Sequence, residues 1–311
     1  MTAAFDRRAH PDGAAFSEWV AADGWKLRRF HWPAGAGPAA RGTLLFAGGR
    51  GDFIEKYLEA MAHWRGRGWS VAGFDWRGQG ASRGGSAGAH LDSLDPLVDD
   101  LTAIVDDLEA ERPAPVVLVG HSMGGHVALR ALVEQRVRPA AAVLVAPMLM
   151  INAAPLPPWA ASWTASLLAN FGWRRQPVWR TPPPGSSLPA SRQAFLTSCP
   201  ERYADELWWW EREPGFNVGA PSWGWLDAAF RSCAGLTGER LRTVETPILL
   251  LGTETDRLVS AAAIRRVAAA LPRARLRMFE NAGHELLREA DPVRLEALAE
   301  IGAFLDEFAG T

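Results

Sequence analysis

The stretch Val116-Val117-Leu118-Val119-Gly120-His121-Ser122-Met123-Gly124-Gly125 decides the fold. Four aliphatic residues, three of them β-branched, read as a short buried strand. A Gly-x-Ser-x-Gly pattern follows, and Met123–Gln135 then reads as a helix. A strand that turns this sharply into a helix leaves no room for side chains at positions 120 and 124. It also holds Ser122 in a strained, exposed position at a helix N-terminus, where the dipole favours a developing negative charge.

Working outward, aliphatic runs alternate with amphipathic segments. Extended segments are expected at Trp25–Trp32, Thr43–Ala47, Ser70–Trp76, Ala141–Ala146, Pro247–Leu251 and Leu276–Phe279. Helices are expected at about Phe53–Arg67, Leu94–Glu111, Val259–Ala270 and Pro292–Phe308. Leu97, Leu101, Ile104, Val105 and Leu108 form one apolar stripe on the second of these. The alternation predicts an α/β chain with a mostly parallel sheet flanked by helices.

It breaks between about Leu149 and Leu236, where nine of the 15 tryptophans fall. The expected organisation is a core of residues 1–148 and 237–311 and an inserted helical cap, or lid, of residues 149–236. Such an insertion sits above the carboxyl ends of the strands, where open sheets bind ligands. The cap aromatics are expected to contact an apolar substrate.

Composition narrows the class. Apolar residues make up 48% of the 311 and charged residues 22%, which is ordinary for a folded domain. A net charge of −2 gives no footing for a nucleic-acid partner. Cys199 and Cys233 stand apart from each other and from histidines, so they read as free thiols, and no metal or cofactor is expected. Residues 139–173 carry no Asp, Glu, Lys or Arg, yet Pro139, Pro147, Pro155, Pro157 and Pro158 interrupt them, which argues for an apolar flap over a membrane span. No secretory signal is visible at the N-terminus, and the expected location is cytoplasmic, peripheral to the inner membrane at most.

A serine needs a base to act as a nucleophile. In sheets built around this turn, the chain order is nucleophile, acid, histidine. After His126 the chain has one histidine, His284, in a loop after the strand Leu276–Phe279. The acid should follow Pro247–Leu251; Asp256 is the first choice and Glu254 the alternative. His121, next to the serine, reads as a packing residue of the turn, pointing away from Ser122. Two backbone N–H groups are needed to hold an oxyanion. Met123 supplies one; Arg50, with Gly49 as second choice, supplies the other from the loop Gly48-Gly49-Arg50-Gly51.

Four stretches together resemble the lysophospholipase and monoacylglycerol-lipase branch of the α/β-hydrolases. They are Gly49-Arg50-Gly51-Asp52-Phe53-Ile54-Glu55-Lys56-Tyr57, then Asp75-Trp76-Arg77-Gly78-Gln79-Gly80-Ala81-Ser82, then Gly120–Gly125 with Ala146-Pro147-Met148, and Asp256 with His284. The resemblance implies an α/β-hydrolase fold and hydrolysis of a single-chain lipid ester by Ser122, His284 and Asp256. It makes the segment Asp75–Ser82 a structural loop beside the site. Two departures stand out: Gly48-Gly49 replaces a His-Gly pair common in such relatives, and the cap is unusually rich in Trp and Pro. Competing readings are a small-ester carboxylesterase, a thioesterase or a peptidase on the same triad, and a non-catalytic ligand-binding scaffold. The uncharged stretch Leu149–Trp173 is the candidate for transient contact with a membrane interface.

Overall fold

The computed structural model describes residues 5–35, 40–84, 89–112, 114–180 and 190–308. Residues 181–189 of the expected cap, and the chain ends 1–4 and 309–311 of the expected core, lie outside the described residues.

Eight strands form one sheet: β1 (Ala15–Val20), β2 (Lys26–Trp32), β3 (Thr43–Ala47), β4 (Ser70–Phe74), β5 (Val116–His121), β6 (Ala141–Val145), β7 (Ile248–Thr253) and β8 (Ala274–Phe279). Their spatial order is β1-β2-β4-β3-β5-β6-β7-β8. β1 pairs antiparallel with β2, and β2 with β4; every later pairing is parallel. The central strands β3, β4, β5, β6 and β7 are buried along their whole length, which is why they read as unbroken apolar runs. β1 was not foreseen: it is an edge strand whose residues are exposed or half-buried, so it carries no buried apolar alternation to read.

Helices α1 (Leu58–Gly66), α2 (Asp95–Glu111), α3 (Met123–Val133), α9 (Ala261–Ala270) and α10 (Asp291–Asp306) cover the two faces. One core holds α2, α3 and α9 against the sheet, and the other holds α1 and α10. The helix expected from Phe53 begins instead as a 3-10 turn, Ile54–Tyr57, whose first N–H donates to the buried Asp75 carboxylate at 3.0 Å.

Between β6 and β7 come α4 (Pro158–Leu168), α5 (Ala190–Leu196), α6 (Pro200–Arg212), α7 (Trp223–Ala234) and the short α8 (Gly238–Leu241). α4 runs on into a π-turn, Ala169–Trp173, kinked inside at Gly172, where φ is 94°. Among the described residues, no helix is long and apolar enough to cross a membrane. Cys199 and Cys233 are free and buried.

Candidate active site

Four loops at the carboxyl ends of β3, β5, β7 and β8 converge, as they must where parallel strands end together. Ser122 lies between β5 and α3 at φ 51°, ψ −113°. This backbone region costs a non-glycine residue about 1–3 kcal/mol and persists only where surroundings enforce it. The enforcement is visible. Ser122 N–H donates to the Val145 carbonyl at 2.9 Å, and the Ser122 carbonyl accepts from the His126 and Met148 amides at 3.0 and 2.9 Å. A Cβ on Gly124 would stand 2.2 Å from the Ala47 carbonyl oxygen, and one on Gly120 would stand 2.7 Å from the Gly125 backbone. Both glycines are therefore obligatory, as the sequence implied.

His284 Nε2 lies 2.8 Å from Ser122 Oγ, and its Nδ1 lies 2.7 Å from Asp256 Oδ2. The carboxylate can only accept, so the proton sits on Nδ1 and Nε2 is left to accept from the serine hydroxyl. Asp256 Oδ1 accepts from the Leu258 and Val259 amides at 2.8 and 3.0 Å, which fixes the carboxylate. Burial pushes the Asp256 carboxyl up, but the His284 ring and these two amides hold it below its ordinary value. For His284 burial pulls the pKa down, and Asp256, with help from Glu285 and Asp52, raises it above the ordinary imidazole value. Glu254, the alternative acid, is exposed and pairs with Arg265. His126 is a neutral core residue: burial and Arg130 push it down to about 3.

The loop after β3 presses its backbone against the nucleophile. A Cβ on Gly49 would stand 3.0 Å from the Ser122 Cβ. Its neighbours on either side of Arg50 are engaged: Gly49 N–H donates to Asp52 Oδ2 at 2.6 Å, and Gly51 N–H donates to Gln79 Oε1. Trp76 Nε1–H donates to the Gly48 carbonyl at 2.7 Å. Trp76 and Gln79 come from the Asp75–Ser82 loop, so that loop braces this backbone. The family resemblance implied a structural loop there without showing what it holds. Gly80 stays glycine because a Cβ there would stand 2.3 Å from the Asp75 carboxylate.

His121 does more than pack. Its ring centroid lies 5.0 Å from that of His284, and its Nδ1 lies 2.9 Å from both Asp52 Oδ2 and the Tyr57 hydroxyl. Asp52 also receives the buried Lys56 ammonium at 2.7 Å. Lys56 reaches Glu285 at 2.8 Å and Glu206 of α6 at 3.3 Å. Arg288 joins Glu285 and Glu206, and Arg192 meets Glu206 at 2.5 Å. Three cations and three carboxylates thus balance beneath the site. Single-residue motifs could not reveal this, because its members lie on four separated segments.

The aromatic residues between β6 and β7 divide. Trp225 and Trp209 are buried, while Trp159, Trp163, Trp173 and Trp179 face outward.

Residues 38–291 match the family described as "Serine aminopeptidase, S33", and the chain belongs to that family. It is 28% identical over 279 residues to a "Probable lysophospholipase L2" of Haemophilus influenzae, covering 86% of this chain and 85% of that protein. It is 31% identical over 134 residues to the human "Monoglyceride lipase", covering 43% of each. A solved structure of a soluble variant of the Saccharomyces cerevisiae monoglyceride lipase, in complex with a substrate analog, superposes with a TM-score of 0.75 at 18% identity, covering 99% of both chains. The fold is that of the α/β-hydrolases.

Proposed function

We propose that this member of the serine aminopeptidase family is a serine hydrolase that cleaves a carboxylic ester, with Ser122 as nucleophile, His284 as base and Asp256 as its orienting acid. The observation that carries the reading is the unbroken relay from Ser122 Oγ through His284 to an ionised, amide-anchored Asp256. Ser122 Oγ attacks the carbonyl carbon while its proton passes to His284 Nε2. The tetrahedral oxyanion accepts from the Met123 and Arg50 amides. Support for Arg50 is that its loop presses on the nucleophile, where a Cβ on Gly49 would stand 3.0 Å from the Ser122 Cβ, and that the amide of Gly49, the second choice, already serves Asp52. The ester C–O bond breaks as His284 returns the proton to the departing alcohol. Water then attacks the acyl-serine by the same steps in reverse, releasing the acid. No metal or cofactor enters these steps.

The substrate we propose is a single-chain lipid ester, a lysophospholipid or a monoacylglycerol, on the strength of the relatives named above. The residues of the insertion, 149–236, act as its cap. The protein meets this substrate from the cytoplasm as a peripheral visitor to the bilayer. Trp159, Trp163 and Leu167 recur every four residues on α4, and Phe171 continues the row; all four are exposed. Such an uncharged aromatic row fits the headgroup boundary of a bilayer.

The test is hydrolysis of lysophosphatidylcholine, a monoacylglycerol of matched chain length, a short-chain ester and an aminoacyl amide, with Ser122→Ala as control. Preference for either lipid, abolished in the control, is expected. If the short ester or the amide is the better substrate, the lipid assignment falls. Retained activity in Ser122→Ala overturns the mechanism. Because His284 must be neutral to act and its pKa is raised, kcat/KM should climb with pH through a midpoint above the ordinary imidazole value.

A further inference from the structure

Arg50 occupies two places at once. Its backbone stands in the loop pressed against Ser122, and its side chain runs the other way, into the insertion. Arg50 is half-buried, with its Nε shut off from solvent; Nη1 donates to the Gly219 carbonyl at 3.0 Å, and the guanidinium carbon lies 5.1 Å from the centre of the Trp225 ring. Gly219 belongs to the segment that leads into α7, and Trp225 is in the first turn of α7. Trp225 in turn packs in the core cluster with α3 and the strands. The contact extends to both sides of Arg50. A Cβ on Gly51 would touch Val218 at 3.4 Å, and Phe53 packs on Phe216 with ring centroids 4.6 Å apart.

Burying part of a guanidinium is costly, and burial alone pulls the Arg50 pKa down to about 10. A glycine or alanine would supply the same backbone N–H without that cost. The side chain therefore has work of its own. Its cation lies over the face of an aromatic ring fixed in α7, and its fork bonds a carbonyl of the preceding loop. Both contacts depend on direction, so a shift of that loop or of α7 pulls on the Arg50 backbone.

We infer that the Arg50 side chain is a latch between the insertion and the oxyanion hole: the insertion sets the position of the Arg50 amide through Gly219 and Trp225. This rests on the reading of that amide as an oxyanion donor. It makes the guanidinium a positioning group rather than a catalytic one. Substrate that moves the loop before α7 would then tune the hole that stabilises its own transition state.

The test uses Arg50→Ala, which keeps the backbone amide and removes the latch. Activity on p-nitrophenyl butyrate is measured per Ser122 labelled by a fluorophosphonate, so misfolded protein is not counted. The latch predicts that kcat per labelled site falls roughly ten- to hundredfold, the scale of a misplaced reacting group, while KM moves little. Arg50→Lys should recover part of the loss. Trp225→Leu should lower kcat too, and the double variant should be no worse than the poorer single one, since both break one connection. A wild-type kcat per labelled site in Arg50→Ala, or full additivity in the double variant, would overturn the latch alone. Failure of the wild-type protein to label at Ser122 would overturn the hydrolase reading and the latch together.

Discussion

Helices α4 and α6 lie in the same connection between β6 and β7 and share a tryptophan-rich composition, yet they are held in different ways. α6 is fastened by charge. Glu206 enters the buried cluster with Lys56, Arg288 and Arg192. Arg202 bonds Glu59, Asp291 and the Glu289 carbonyl, and Asp205 takes Arg7 and Arg8 from the N-terminal segment. α4 has no charged residue at all. It rests on α7 through small residues, with Ala161 and Ala165 in a cluster with Phe230, and turns Trp159 and Trp163 outward. Charged groups that bond each other fix direction as well as position, whereas an alanine seam fixes little beyond distance. The comparison therefore separates a part of the β6–β7 segment fastened by ion pairs from a part that turns an apolar face outward.

The largest effect should come from the fastened part. Lys56→Met leaves Asp52, Glu206 and Glu285 buried without their shared cation, and breaking a buried ion network by one partner costs about 3–5 kcal/mol. Urea denaturation checks this; a change below about 1 kcal/mol would mean that the cluster does not fasten α6. A middle effect is expected at the seam. Ala165 is fully buried, so Ala165→Leu should overpack the α4–α7 contact and cost about 1–3 kcal/mol in the same measurement. The smallest stability effect belongs to the outer row. Trp159→Ser and Trp163→Ser should each change stability by no more than about 0.5 kcal/mol, as exposed positions do. Both should nonetheless weaken cosedimentation with phosphatidylglycerol-containing vesicles. A large loss of stability with unchanged vesicle binding would erase the distinction between the two parts.

The sequence disclosed what local sterics dictate and was silent on what distant residues build together. Ser122 was legible because a buried strand, two obligatory glycines and a helix stand next to it. His284 and Asp256 followed from chain order; that the Leu258 and Val259 amides hold the Asp256 carboxylate did not. The central strands β3 to β7 were legible because burial on both faces demands unbroken apolar runs. β1 was not, since an edge strand needs no such pattern. The polar connections of His121 could not be read either: Asp52 and Tyr57 lie on another segment, and only the folded sheet edge brings them to its ring. Nor did composition separate buried Trp209 and Trp225 from outward Trp159 and Trp163, because burial depends on what each helix packs against.

The most direct test of the central claim is covalent labelling of the full-length protein with a fluorophosphonate, read by intact mass and by peptide mapping. The account predicts one equivalent of adduct per chain on Ser122, absent in Ser122→Ala and formed far more slowly in His284→Ala. No adduct, or an adduct on another residue, would contradict it.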